Sequence, residues 1–170
     1  MSTLQEIQNR FMGEIAYVDD LSQIILKGHL VIEEIMTEAI TRFVLHGEIA
    51  KDAKLQFHQK LTICRAISVD EENNPMWGLI AKINSLRNHL SHSLNDEERI
   101  KRINSLKSIY EQNFGAKALH EIEEMNQDSA VCMLAISGCL GFLHSFLAEI
   151  KRFEKPIQAL NKTMNSGINS

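Results

Sequence analysis

The sequence predicts an all-α protein that folds as a single bundle of five to seven helices. Apolar residues recur every three or four positions along most of the 170 residues. Aromatic residues make up 6% and there are 2 prolines, fewer than the strands and turns of a β-sandwich require. No stretch alternates apolar and polar residues as a half-exposed strand does.

The first two predicted helices are amphipathic. Residues 3–18 form one, and Asp19-Asp20 begins the second, which runs to about His46. Gly28 lies inside the apolar face of the second helix, where the missing side chain allows another helix to come close. Gly47 is expected to end this helix, since a glycine commonly follows a helix C-terminus.

The remaining helices are bounded by turn and capping residues. Asn74 is positioned to cap one of them, with Pro75 in its first turn. The predicted ranges are 52–69, 76–92, 95–112, a short acidic helix over 116–126, and 128–154. The helical domain therefore spans 1–156, and residues 157–170 are expected to form a flexible tail.

Charge and cysteine content exclude several classes of protein. A net charge of −4 argues against nonspecific DNA binding through a basic surface. Cys64, Cys132 and Cys139 lie in apolar stretches, which predicts reduced core residues of a cytoplasmic protein, and no export signal is apparent. Residues 130–148 lack charged side chains and are long enough to span a bilayer, but we expect a buried bundle helix and no membrane association.

Sequence patterns that hold phosphates, metals or nucleophiles are absent. There is no glycine-rich phosphate loop and no HExxH, CxxC, GxSxG or Glu-x-x-His pattern. We therefore expect neither a metal nor a cofactor. A small-molecule pocket between helices, lined by Tyr17, His29, His58 or Trp77, is one hypothesis that the sequence leaves open.

The segment from Leu86 to His92 contains the residues best suited to chemistry. Arg87 falls within the apolar stripe of its predicted helix, and because a guanidinium cannot lose its proton, it requires an anionic partner or a cleft there. Arg87 and His92 are about 140° apart around a straight helix, so they share a cleft only at the helix end or where two copies meet. Asn88 and His92 are four positions apart and are able to touch.

Two interpretations of this segment follow. In the structural one, Arg87 forms an ion pair with an acid of the second helix, Glu33, and His92 caps its own helix. In the functional one, Arg87 stabilises charge on a phosphate oxygen while His92 exchanges protons near neutral pH. That pair suffices for an RNA 2′-hydroxyl to attack its own phosphodiester without a metal. His89 is able to replace His92 in either role.

The segment RNHLSH fits R-x4-H with a polar residue directly after the arginine, which resembles the signature of the HEPN superfamily (higher eukaryotes and prokaryotes nucleotide-binding). The resemblance implies an all-α homodimer, and many members are metal-independent endoribonucleases of toxin–antitoxin, phage-defence and RNA-processing systems. It implies catalytic roles for Arg87 and His92 of both subunits in a shared cleft, with Asn88 as the polar neighbour. RNA is then the expected substrate.

A second resemblance covers roughly residues 20–95. The segments GHLVIEEIMTEAI and QFHQKLTICRAI, followed by RNHLSH, look like the helical family of the mannitol operon repressor. This resemblance implies a non-catalytic regulator or interaction module that acts through a protein partner. In the structural interpretation of the R-x4-H segment, Glu33 and His89 belong to the surroundings of Arg87.

Overall fold

Two long helices form the centre of the molecule. The computed structural model describes residues 3–15, 21–69, 73–92, 96–115 and 128–165. Its elements are α1 (Leu4–Ile15), α2 (Leu21–Phe43), α3 (Gly47–Asp52), α4 (Phe57–Ala66), α5 (Pro75–His92), α6 (Asp96–Phe114) and α7 (Asp128–Asn165). The predicted all-α bundle of five to seven helices is confirmed, because these seven helices account for every regular element in the described ranges.

The central helices α2 and α7 lie against each other along much of their length. The helix α2 also packs on α1, α3, α4 and α5, while α7 contacts α1, α5 and α6. A Cβ atom at Gly28 would overlap the side chain of Ile136 in α7, so the glycine permits this close approach. The sequence prediction for Gly28 is therefore confirmed, with α7 as the neighbouring helix.

Helix α5 presents a fully buried apolar stripe to the core. Leu79, Ile80, Ile83 and Leu86 have 0% relative exposure. The backbone N–H of Met76 donates to Oδ1 of Asn74 at 2.9 Å, which confirms the predicted cap. Trp77 lies edge-on to Phe142 and Phe146 of α7, with ring centroids 4.7 Å and 5.3 Å away. These contacts hold the start of α5 against α7.

The corner between α2 and α4 differs from the sequence prediction. Helix α2 ends at Phe43, and Gly47, predicted to end it, instead begins the short helix α3. A Cβ atom at Gly47 would collide with the backbone carbonyl of Thr41, so the glycine serves a close approach of the chain to itself. The helix predicted over 52–69 is shorter in the structure and runs from Phe57 to Ala66.

The end of the chain is also more helical than its composition suggests. Helix α7 passes through Pro156 and continues to Asn165, so residues 157–165 of the expected tail are helical. The short acidic helix predicted over 116–126 lies outside the described residues, as do residues 166–170.

The apolar helix α7 lies mostly inside the protein. Among the described helices it is the one whose length and composition would allow it to cross a membrane, from Asp128 to Met164, and 56% of its most apolar window is buried. Its thiols, Cys132 and Cys139, are buried and unbridged, as is Cys64 of α4. Burial raises the pKa of Cys64 and of Cys132 to about 12.

Candidate functional site

Arg87 lies between the core and the surface near the C-terminal end of α5. The residue is half-buried, in agreement with its place in the apolar stripe. Its Nε atom is buried, and its Nη1 atom donates a hydrogen bond to Oδ1 of the exposed Asn88 at 3.1 Å. The guanidinium is therefore oriented by its own helix at the point where α5 reaches solvent.

A buried histidine of α2 lies close to this arginine. His29 has 4% relative exposure, and its ring stacks on that of Phe57 in α4 with centroids 4.1 Å apart. Its Nε2 atom lies 2.9 Å from Oδ1 of Asn84 in α5. Because an amide oxygen only accepts hydrogen bonds, Nε2 must carry the proton that it donates to Asn84. In the neutral ring, Nδ1 is then unprotonated. His29 thus connects α2, α4 and α5.

Glu33 has a different ion-pair partner from the one that the sequence suggests. Among the described side chains its Oε1 atom is paired with Nζ of Lys60 in α4 at 2.8 Å, whereas Arg87 was the expected cation. The other carboxylate oxygen lies 4.0 Å from Nδ1 of His29. The sequence prediction considered only the helices that carry Glu33 and Arg87. It could not show that α4 packs on α2 and places Lys60 next to this carboxylate.

These residues form one electrostatic unit, which we call the His29 cluster: His29 and Glu33 of α2, Lys60 of α4, and Asn84 and Arg87 of α5. Burial lowers the pKa of His29 below its ordinary value of 6.5. The positive charges of Arg87 and Lys60 act in the same direction, while Asn84 and Glu33 raise the pKa. The cluster therefore favours a neutral imidazole next to a permanently charged guanidinium.

The other half of the R-x4-H pattern is only partly described. Helix α5 continues without interruption to His92, its last residue, so positions 87 and 92 remain about 140° apart around one helix axis. The side chain of His92 lies outside the described part of the structure. His89 is half-buried. Within one chain, the straight helix does not direct positions 87 and 92 to the same face.

Three members of the His29 cluster were not predicted from the sequence. The sequence suggested His29 only as a lining residue of a hypothetical pocket, and it suggested no role for Lys60 or Asn84. A local signal was present for part of the cluster, since His29 and Glu33 are four residues apart and Asn84 and Arg87 are three apart on their helices. The contact between the two pairs, and the role of Lys60, depend on tertiary packing that these spacings do not encode.

Comparison with known proteins adds no further assignment. No protein-family model, curated protein or solved structure matches this chain.

Proposed function

We propose that the protein is a HEPN-like, metal-independent endoribonuclease that acts as a homodimer in the cytoplasm. The observation that supports this proposal is the placement of Arg87, a permanent cation oriented by Asn88 where α5 reaches solvent. A guanidinium held in this way is suited to binding the oxygens of a phosphodiester. The three unbridged cysteines favour a reducing compartment.

The reaction is an attack of the RNA 2′-oxygen on the adjacent phosphorus. The bond from phosphorus to the 5′-oxygen of the next nucleotide breaks, and a 2′,3′-cyclic phosphate forms. Arg87 stabilises the charge that develops on the phosphate oxygens. One His92 accepts the proton of the 2′-hydroxyl, and the other gives a proton to the leaving 5′-oxygen. A second copy can supply the facing His92, because positions 87 and 92 diverge around α5 within one chain.

Cleavage of a synthetic RNA in the presence of EDTA tests this function. We expect 2′,3′-cyclic phosphate ends, and no cleavage of the same sequence with 2′-deoxy sugars. His92→Ala is expected to lower the rate at least about 100-fold, the usual contribution of a general acid or base. Arg87→Lys, which keeps the charge but not the planar fork, is expected to lose most activity.

The matched control is His58→Ala, which removes an exposed histidine of α4. This variant is expected to cleave at the wild-type rate. His89→Ala tests the alternative assignment, because a larger loss with this variant than with His92→Ala would move the proton-transfer role to His89. Wild-type dimer that leaves a mixed RNA pool intact at high protein concentration contradicts the proposal.

A second candidate function, a non-catalytic dimeric regulator, is favoured by an exposed apolar surface. Leu45, Ile49 and Leu160 are 45%, 69% and 54% exposed. They line a largely apolar groove of about 670 Å³ between the end of α2, α3 and α7. Surfaces of this kind mark sites of protein association. Ile49→Glu is then expected to convert a dimer, measured by light scattering, to a monomer, and an unchanged mass contradicts this use of the groove.

A further inference from the structure

A polar cleft lies between α5 and α6. It is separate from the His29 cluster, which contributes no residue to its lining. The cleft encloses about 230 Å³ and is lined by Lys82 and Ser85 of α5 and by Glu98, Lys101, Arg102 and Ser105 of α6. Three cations and two hydroxyl groups therefore face one carboxylate. The lining of the cleft therefore has an excess of positive charge, in contrast to the net charge of −4 of the whole protein.

The cations of this cleft differ in how firmly they are held. Arg102 is fixed, because its Nη2 atom pairs with Oε1 of Glu98 at 2.8 Å and its Nη1 atom donates to Oγ of Ser85. The buried Nε atom of Arg102 has no hydrogen-bond partner among the described residues. Lys82 and Lys101 are exposed and form no ion pair within the described part of the chain.

We propose that this cleft binds a phosphate group, and that the phosphate belongs to the backbone of single-stranded RNA. Two exposed ammonium groups and an oriented guanidinium provide charge, and the hydroxyls of Ser85 and Ser105 provide hydrogen bonds. The identity of the ligand rests on the proposed function, whereas the phosphate site itself does not.

The position of the cleft on α5 connects it with the R-x4-H segment. Positions 82, 85 and 89 are three and four residues apart and so share one face of α5. A strand whose phosphate lies between Lys82 and Lys101 would therefore run along the face of α5 that carries His89. This cleft would hold a phosphate next to the scissile one and set the register of the RNA.

The test is a binding measurement that does not depend on cleavage. A short fluorescent single-stranded RNA with 2′-O-methyl sugars cannot form a cyclic phosphate, so its fluorescence anisotropy reports affinity alone. We expect the double variant Lys82→Gln/Lys101→Gln to bind at least about tenfold more weakly at low salt. The slope of log K against log salt should fall in magnitude by about 1 for each lysine removed.

The matched control is Lys155→Gln/Lys162→Gln, which removes the same charge from exposed positions of α7. This control is expected to keep both the affinity and the salt slope of the wild type. If the cleft variant and the control variant bind RNA alike, RNA is overturned as the source of the phosphate.

Inorganic phosphate is the second probe, followed by NMR titration of the same variants. Loss of phosphate binding in the cleft variant, with RNA binding intact, upholds a phosphate site and assigns it to small phosphate ligands. Retention of both ligands by the cleft variant overturns the phosphate site itself. Failure of the ribonuclease proposal is distinguishable, because it appears as intact binding without cleavage of ordinary RNA.

Discussion

Two faces of α5 differ in how their charged and polar groups are paired. On one face, Asn84 and Arg87 belong to the His29 cluster, where Glu33 neutralises Lys60 at 2.8 Å and a buried imidazole connects three helices. On the other face, Lys82 and Ser85 open into a cleft whose cations outnumber its one carboxylate. Polar groups in contact with one another inside a protein therefore connect its helices, whereas an excess of positive charge at an open surface is free to attract anions.

The largest expected difference between the two faces is in stability, at adjacent positions of α5. Asn84→Leu leaves the buried Nε2–H of His29 without its acceptor, so we expect a loss of about 2 kcal/mol in the free energy of unfolding. Ser85→Ala removes the hydroxyl that accepts from Arg102, but Arg102 keeps its pairing with Glu98 at the open cleft, so we expect a smaller loss of about 1 kcal/mol or less. Urea unfolding measures both variants, and equal losses would remove the distinction.

A smaller effect is expected from pH, because the pKa of His29 is lowered by burial. At pH values well above 6.5 the imidazole is neutral in the folded and unfolded chains alike. As the pH falls below 6.5 the unfolded chain takes up a proton that the folded chain still rejects, so stability decreases. The melting temperature of His29→Gln should therefore fall less between pH 7 and pH 5 than that of the wild type.

The control for this pH prediction is His58→Gln, an exposed histidine on α4. It is expected to keep the pH dependence of the wild type. If both substitutions flatten the curve equally, the acid sensitivity does not arise in the His29 cluster.

The smallest stability effect is expected from the double variant Lys82→Gln/Lys101→Gln. These two lysines are exposed and make no ion pair with a described residue, so we expect their charges to contribute little to stability. We expect an unfolding free energy within about 0.5 kcal/mol of the wild type. A large loss would place these lysines among the stabilising groups of the bundle and weaken the contrast between the two faces.

The helical architecture was accessible from the sequence because its signals are local. The apolar spacing of Leu79, Ile83 and Leu86 identified a buried stripe, and Asn74 with Pro75 identified the start of α5. The short helix α3 was missed because Gly47 resembles a helix terminator, while its actual role is to pass close to Thr41. Steric contacts of this kind arise only once the chain has folded.

The candidate site was predictable only in part. The helical spacing identified Arg87 as a cation that falls within an apolar stripe, and the residue is half-buried. It could not identify Lys60 as the partner of Glu33, because that pair joins residues 27 positions apart on different helices. The cleft between α5 and α6 was missed for a similar reason, since Lys82 and Lys101 each look like an ordinary solvent-exposed lysine on its own helix.

The buried cysteines provide built-in reporters of unfolding. Cys64 lies in α4 and Cys132 in α7, and a thiol with a pKa near 12 inside a packed core reacts very slowly with alkylating reagents. Alkylation of each thiol therefore requires that the helices around it separate. The relative labelling rates of these two thiols would show whether α4 detaches before the central helix opens, without the introduction of any foreign probe.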